Sequence, residues 1–199
     1  NTTQVFLRHR YVKQILTKSA VESEATWNIS FDPDQGVPNI ILIRVIDTDG
    51  NVSEIPRDQI YVSSENNSGV DVSESRQLVI PIPKLREGSV IDLVWENESS
   101  ARLLTGAAQR YGFFNVLPRL EQRLDVRYNN NLPIKFHAQG EGLEETRTDE
   151  DLATVRSWTM MDGKAGQGGD YTLGVFERYP WVGYTTYESW DQIAKEFSE

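Results

Sequence analysis

Two histidines, His9 and His137, are the only side chains in this chain that titrate near neutrality without help from their surroundings. His9 falls in line with Val5, Leu7 and Tyr11, and His137 closes a second alternating segment, so both read as hydrogen-bonded strand residues. The chain has no cysteine, which excludes thiol catalysis, disulfides and thiolate metal sites. It also lacks a His-Glu-x-x-His zinc motif and the Gly-x-Ser-x-Gly turn that exposes a catalytic serine.

Asp47-x-Asp49-Gly50 has the look of a calcium loop. Its glycine arrives two residues too early, however, and the closing bidentate glutamate is missing, so a hairpin turn is the better reading. Gly163-Lys164-Ala165-Gly166-Gln167-Gly168-Gly169 could offer backbone donors to an anion. Ala165 breaks the nucleotide-loop pattern, which leaves a surface loop. Acidic pairs such as Glu144 with Glu145, or Glu96 with Glu98, are expected by chance among 30 carboxylates. Arg102, Arg110, Arg119, Arg123 and Arg127 form a locally basic stretch. Asp125 shares a strand face with Arg123 and Arg127, so ion pairing across strands is expected there. Catalytic, cofactor and metal residues are therefore expected to be none, and the chain is read as a non-enzyme.

The remaining chemistry is aromatic. Trp158, Tyr171, Tyr179, Trp181, Tyr184, Tyr187 and Trp190 crowd the last part of the chain. If exposed, such rings stack on sugars or anchor a protein partner; if buried, they form a core, and burial is the commoner fate. The candidate interaction surface is Trp158, Trp181, Tyr184, Tyr187, Trp190, Ile193 and Phe197.

The elements that carry these residues read mostly in period two. Val5, Leu7 and Tyr11 alternate with Arg8 and Arg10, and Trp27, Ile29 and Phe31 alternate with polar residues. Asn39 to Ile46 is apolar on both faces apart from Arg44, as befits a central strand, and Asp49-Gly50-Asn51 favours a reversal after it. Val52 to Ile55 and Gln59 to Val62 are short strands divided by Pro56, and Ser63 to Ser75 is a polar loop. Leu78, Ile80 and Ile82 alternate with Pro81 and Pro83, which push that strand toward a sheet edge. Lys84 to Gly88 is a turn. Val90 to Glu96, Phe113 to Leu117, Leu120 to Tyr128, Leu132 to Phe136, Val155 to Met160 and Tyr171 to Tyr179 are further strands. The acidic run 141–151 is a solvated loop. The sum is an all-β, antiparallel β-sandwich with a short C-terminal helix. That helix is marked by Trp190, Ile193, Ala194 and Phe197 on one face, with Thr185 and Glu188 at capping-box spacing.

Composition narrows the function classes. The 199 residues carry 30 acidic and 20 basic side chains, a net charge of -10, which argues against a nucleic-acid footprint. The longest unbroken apolar run, Ile40 to Ile43, is far below the roughly 20 residues that span a bilayer. No transmembrane segment is expected.

Several segments resemble a family. Phe6-Leu7-Arg8-His9-Arg10-Tyr11-Val12-Lys13-Gln14-Ile15-Leu16-Thr17, followed by Ile29-Ser30-Phe31-Asp32-Pro33, resembles the opening of an uncharacterised bacterial domain that precedes transglutaminase-like domains in exported proteins. Ile43 to Gly50, Ile82-Pro83-Lys84-Leu85-Arg86-Glu87-Gly88-Ser89-Val90-Ile91-Asp92-Leu93, Arg123 to Val126 and Trp158 are similar to later parts of it. Tyr184-Thr185-Thr186-Tyr187-Glu188-Ser189-Trp190-Asp191-Gln192-Ile193-Ala194 looks like the linker and first helix leading into the transglutaminase-like domain. The resemblance implies a β-sandwich accessory domain over 1–184, a linker and helix over 185–199, and an exported, periplasmic location in a bacterium. It implies no catalytic residue and no cofactor here. The expected function is to position a protein partner or substrate for the downstream domain. A carbohydrate-binding module using the late aromatics, with a glycan ligand, is the alternative.

Overall fold

In the computed structural model, residues 4–64, 75–100, 105–114, 117–163 and 179–198 are described. Among the described residues strand accounts for 56% and helix for 12%, and every strand pair is antiparallel, so the all-β expectation holds. The expected loop at 163–169 and strand at 171–179 lie almost wholly outside the described residues, as does most of the loop at 63–75. The chain divides into two compact units, Gln4–Ser100 and Ala101–Glu199. The reading of 1–184 as one domain has no counterpart to this division, because period-two patterning continues on both sides of it.

The first unit packs a four-stranded sheet, ordered β1 (Gln4–Gln14), β7 (Val90–Ser100), β3 (Asn39–Ile46) and β4 (Val52–Glu54), against a three-stranded one. The second sheet is ordered β2 (Thr26–Phe31), β6 (Arg76–Pro81) and β5 (Tyr61–Ser64). Ile91, Leu93 and Trp95 from β7 meet Ile29 from β2 and Leu78 and Ile80 from β6 in one core, and Ile40, Ile43 and Val45 of β3 join them. Ile40 and Ile43 both point inward although three residues apart. A bulge at Ile41, where two β3 residues span one step of β7, supplies the extra residue. The Asp49-Gly50-Asn51 reversal forms as expected. Gly50 takes a φ of +83, and Asp47 Oδ1 accepts from the N–H groups of Asp49 and Asn51.

One strand position departs from expectation. β6, read as an edge strand because of Pro81 and Pro83, is the centre of its sheet. Pro81 is its last residue and Pro83 lies past its end, so neither missing N–H interrupts the ladder. A short helix α1 (Lys18–Ser23), capped by Thr17, connects β1 to β2.

The second unit faces two three-stranded sheets: β10 (Lys135–Gln139), β13 (Trp181–Thr185), β8 (Ala108–Gly112), and β11 (Glu144–Asp149), β12 (Ala153–Gly163), β9 (Arg119–Asn129). Phe113, Trp158 and Val182 form its buried centre, flanked by Leu124, Val126, Phe136 and Met160. The predicted strand at Phe113 to Leu117 is displaced. β8 ends at Gly112, Phe113 makes one further backbone bond to Pro180 O at 2.8 Å while its ring fills the core, and Asn115 and Val116 lie outside the described residues. The acidic run is not a loop either. Its middle, β11, is a fully exposed edge strand laddered on β12, and cations neutralise its carboxylates: Arg156 Nε donates to Glu145 at 2.9 Å and Arg147 Nε to Asp149 at 2.9 Å. Helix α2 (Trp190–Ser198) ends the described chain.

Candidate interaction surface

Of the seven residues singled out in the sequence, the six whose side chains are described do not form one surface. Trp158 is buried at the centre of the second unit, with its indole N–H donating to Glu145 Oε2 at 3.0 Å. Tyr187 is also buried. Tyr184 is half-buried, and its hydroxyl donates to Gln109 Oε1 at 2.8 Å. Burial pushes the Tyr184 phenol above its ordinary pKa. Trp181 lies on the outer face of its sheet. Its ring passes close over Gly183, where an added Cβ would sit 3.1 Å from the indole, and the Arg110 guanidinium stands 4.2 Å from its centroid. A ring covered in this way offers no open platform to a sugar. Trp190 is 83% exposed, and Ile193 is half-buried beside it in the helix. The Phe197 side chain lies outside the described residues, as does Tyr171.

Trp190 stands on a helix that is tied down further along its length. Glu196 accepts from the Thr105 backbone N–H at 2.9 Å and from the Thr105 hydroxyl at 2.6 Å. These two bonds hold the Glu196 carboxyl below its usual pKa. Tyr187 completes the latch: its hydroxyl accepts from Gly106 N at 2.8 Å and lies 3.3 Å from Glu196 Oε2, to which it donates. Gly106 is needed there, because a Cβ would come within 2.6 Å of the Tyr187 ring. The helix cap differs from the one expected. Thr185 ends β13 and accepts from Tyr187 N, while Ser189 Oγ accepts from Gln192 N at 3.3 Å and Gln192 Oε1 accepts from Glu188 N at 3.0 Å. The signal was present as Ser189-x-x-Gln192, a second capping-box spacing four residues on. The importance of Glu196 had no such local signal, since Thr105 is 91 residues away.

The histidines are structural in their contacts. His9 stacks on Trp95 with centroids 4.7 Å apart, and its Nε2 lies 3.2 Å from Asn97 Oδ1. Burial lowers its pKa, against the opposing effect of its hydrogen bond to Asn97. His137 packs against Trp181. Among the described residues, no group of three or more His, Asp or Glu side chains is placed to hold a metal. Among the described residues the most deeply buried charge is Asp92, only 1% exposed although it sits on the outward face of β7. Arg10 Nε of β1 donates to it at 3.0 Å and Arg44 Nη2 of β3 at 2.8 Å. Burial opposes ionisation of Asp92, but the two guanidiniums outweigh it and the pKa falls.

These features define an all-β protein of antiparallel sheets, with a helix latched within the second unit through Glu196. A family model covering DUF3857, a domain of unknown function, matches residues 3–167, and the chain belongs to that family. No curated protein matches it. Among solved structures it is similar to a chain from Parabacteroides distasonis ATCC 8503 described as a "putative protease", with a TM-score of 0.80 at 15% identity. The match covers 94% of this chain and 37% of that one, so this chain spans little over a third of that protein's length. A likeness at this identity carries the fold.

Proposed function

We propose that this chain is a non-catalytic accessory domain of an exported bacterial protein, and that it positions a protein partner or substrate for a transglutaminase-like domain of the same protein. The observation that carries the reading is Trp190, 83% exposed on a helix that is fastened through Glu196, six residues further on. A large indole held in water by a rigid mount is the usual anchor of a protein interface. The span of the match supports it too, since the Parabacteroides protein continues well beyond the shared fold. The carbohydrate alternative has less support. Trp158 and Tyr187 are buried, and Trp181 is covered.

The test is hydrogen exchange across Trp190–Ser198 in this chain and in the complete protein that contains it. Docking of the transglutaminase-like domain slows exchange of α2, and Trp190→Ala in the complete protein restores the faster rate. Equal exchange in both proteins would overturn the reading. Export is tested separately, by finding the complete protein in the periplasmic fraction.

A further inference from the structure

The outward side of the β10–β13–β8 sheet differs in charge from the other sheet faces of the chain. Elsewhere an arginine on a strand has a carboxylate beside it: Arg8 pairs with Glu96, Arg10 and Arg44 share Asp92, Arg123 meets Asp125, and Arg156 meets Glu145. The register of this sheet turns three positions of each strand outward, and none of them is aspartate or glutamate. Lys135, His137 and Arg110 are among them, all exposed, in a chain whose net charge is -10. The acids next along the chain stand outside the ladder. Glu141 and Glu188 follow the ends of β10 and β13 on connections, and Glu196 is bonded to Thr105.

These basic groups are held in place. Arg110 and His137 lie opposite Gly183 on its two sides, and the Trp181 ring leans over that glycine. The Arg110 guanidinium carbon is 4.2 Å from the indole centroid, and the His137 ring centroid is 5.1 Å from it. A guanidinium over an indole keeps its charge, and its N–H donors lie around its rim, where they can take a carboxylate through two bonds. Its ordering cost is met before a ligand arrives. Lys135 Nζ donates to the backbone oxygen of Glu188 at 2.8 Å, which fixes the ammonium without neutralising it. On β8 Arg110 rises between Ala108 and Gly112, whose small side chains let another main chain come close.

We infer that this face binds an acidic segment of a partner protein, with one carboxylate on the rim of Arg110 and a second reaching across the sheet to Lys135. Two strand spacings separate those columns, about 10 Å, so the two acids stand two to four residues apart in an extended segment. A protein fits better than a sugar, because the Trp181 ring is already covered by Arg110. The net negative charge of the rest of the chain turns such a segment away from other surfaces. The inference rests on the reading of this chain as a domain that positions a protein partner or substrate, and names the chemistry of that partner.

The experiment is an amide NMR titration of the labelled chain with an acetylated, amidated peptide, Glu-Gly-Glu-Gly-Glu, and with its Gln-Gly-Gln-Gly-Gln counterpart. Saturable shifts at 108–112, 135–139 and 181–185, with the Trp181 indole N–H among them, are expected from the acidic peptide and not from the amide one. Arg110→Gln weakens binding roughly tenfold, the scale of one charge-assisted bidentate contact, and Lys135→Gln about threefold, the scale of one exposed charge. The dispersed spectra of both variants show that they fold. Shifts that are absent, lie elsewhere, appear equally with the glutamine peptide or persist unchanged in both variants overturn the inference. Tighter binding of polygalacturonate at the same amides also overturns it, and gives the face to an acidic polysaccharide. Peptide binding is read in this chain and α2 exchange in the complete protein, so either can fail without the other.

Discussion

Asp92→Asn removes one charge and almost no volume, and it isolates the Arg10–Asp92–Arg44 cluster from the core beneath it. The carboxylate side chain is 2% exposed, whereas Arg10 and Arg44 keep 61% and 34% of theirs. Breaking a fully buried pair costs about 3–5 kcal/mol, and an exposed one about 0.2–1 kcal/mol. Here the anion is buried, but both cations can turn to water once it is gone. We therefore expect a loss of about 2–3 kcal/mol at neutral pH, between those limits. At roughly 4–8 °C per kcal/mol for a unit of this size, the melting transition of the first unit falls by on the order of 10–20 °C. The pH dependence has a definite sign. The folded pKa of Asp92 lies below its unfolded value of about 3.9, so the cluster's contribution is complete well above that value and is lost as pH falls through the folded pKa. The two proteins should differ at pH 7 and converge in strong acid, where the wild-type carboxyl is itself neutral. Calorimetry at several pH values measures both effects. A variant within about 0.5 kcal/mol of wild type at neutral pH, or a gap that stays constant into acid, would refute the reasoning.

Trp158→Ala empties the centre of the second unit and should cost roughly 3–5 kcal/mol there, while amide protection in Gln4–Ser100 stays unchanged in hydrogen exchange. Gly140→Ala should destabilise the same unit by about 1–3 kcal/mol in urea titration, because φ is +115 and the new Cβ would lie 2.5 Å from Pro180 Cα. Glu196→Gln should loosen α2 at neutral pH, seen as faster amide exchange at 190–198. In the wild type, protection of α2 should be complete above the ordinary glutamate pKa of about 4.3 and fall as acid neutralises Glu196, a dependence the Gln variant lacks.

Much of the fold was legible because a strand's side-chain period is local. Val5 to Tyr11, Trp27 to Phe31 and Asn39 to Ile46 each carry their inward face in their own spacing, and the structure places them as β1, β2 and β3. The Asp49-Gly50-Asn51 reversal was equally local, since it needs one positive φ and one Asp side chain. The all-β class follows from such segments alone. Pairing is not local, and there only the tertiary structure could decide. Glu144 to Asp149 has the composition of a loop and becomes β11 because β12 offers a ladder and an arginine, Arg156, to match Glu145. β6 becomes a central strand because its prolines fall at and beyond its end. Trp158 and Trp190 are the same residue type in the same aromatic run. One fills a core closed by Phe113 and Val182, and the other stands in water on a helix tied down by a contact between Glu196 and Thr105 that spans 91 residues. Periodicity tells a segment which of its faces is apolar, but which partner covers that face depends on residues brought together only by the closed chain.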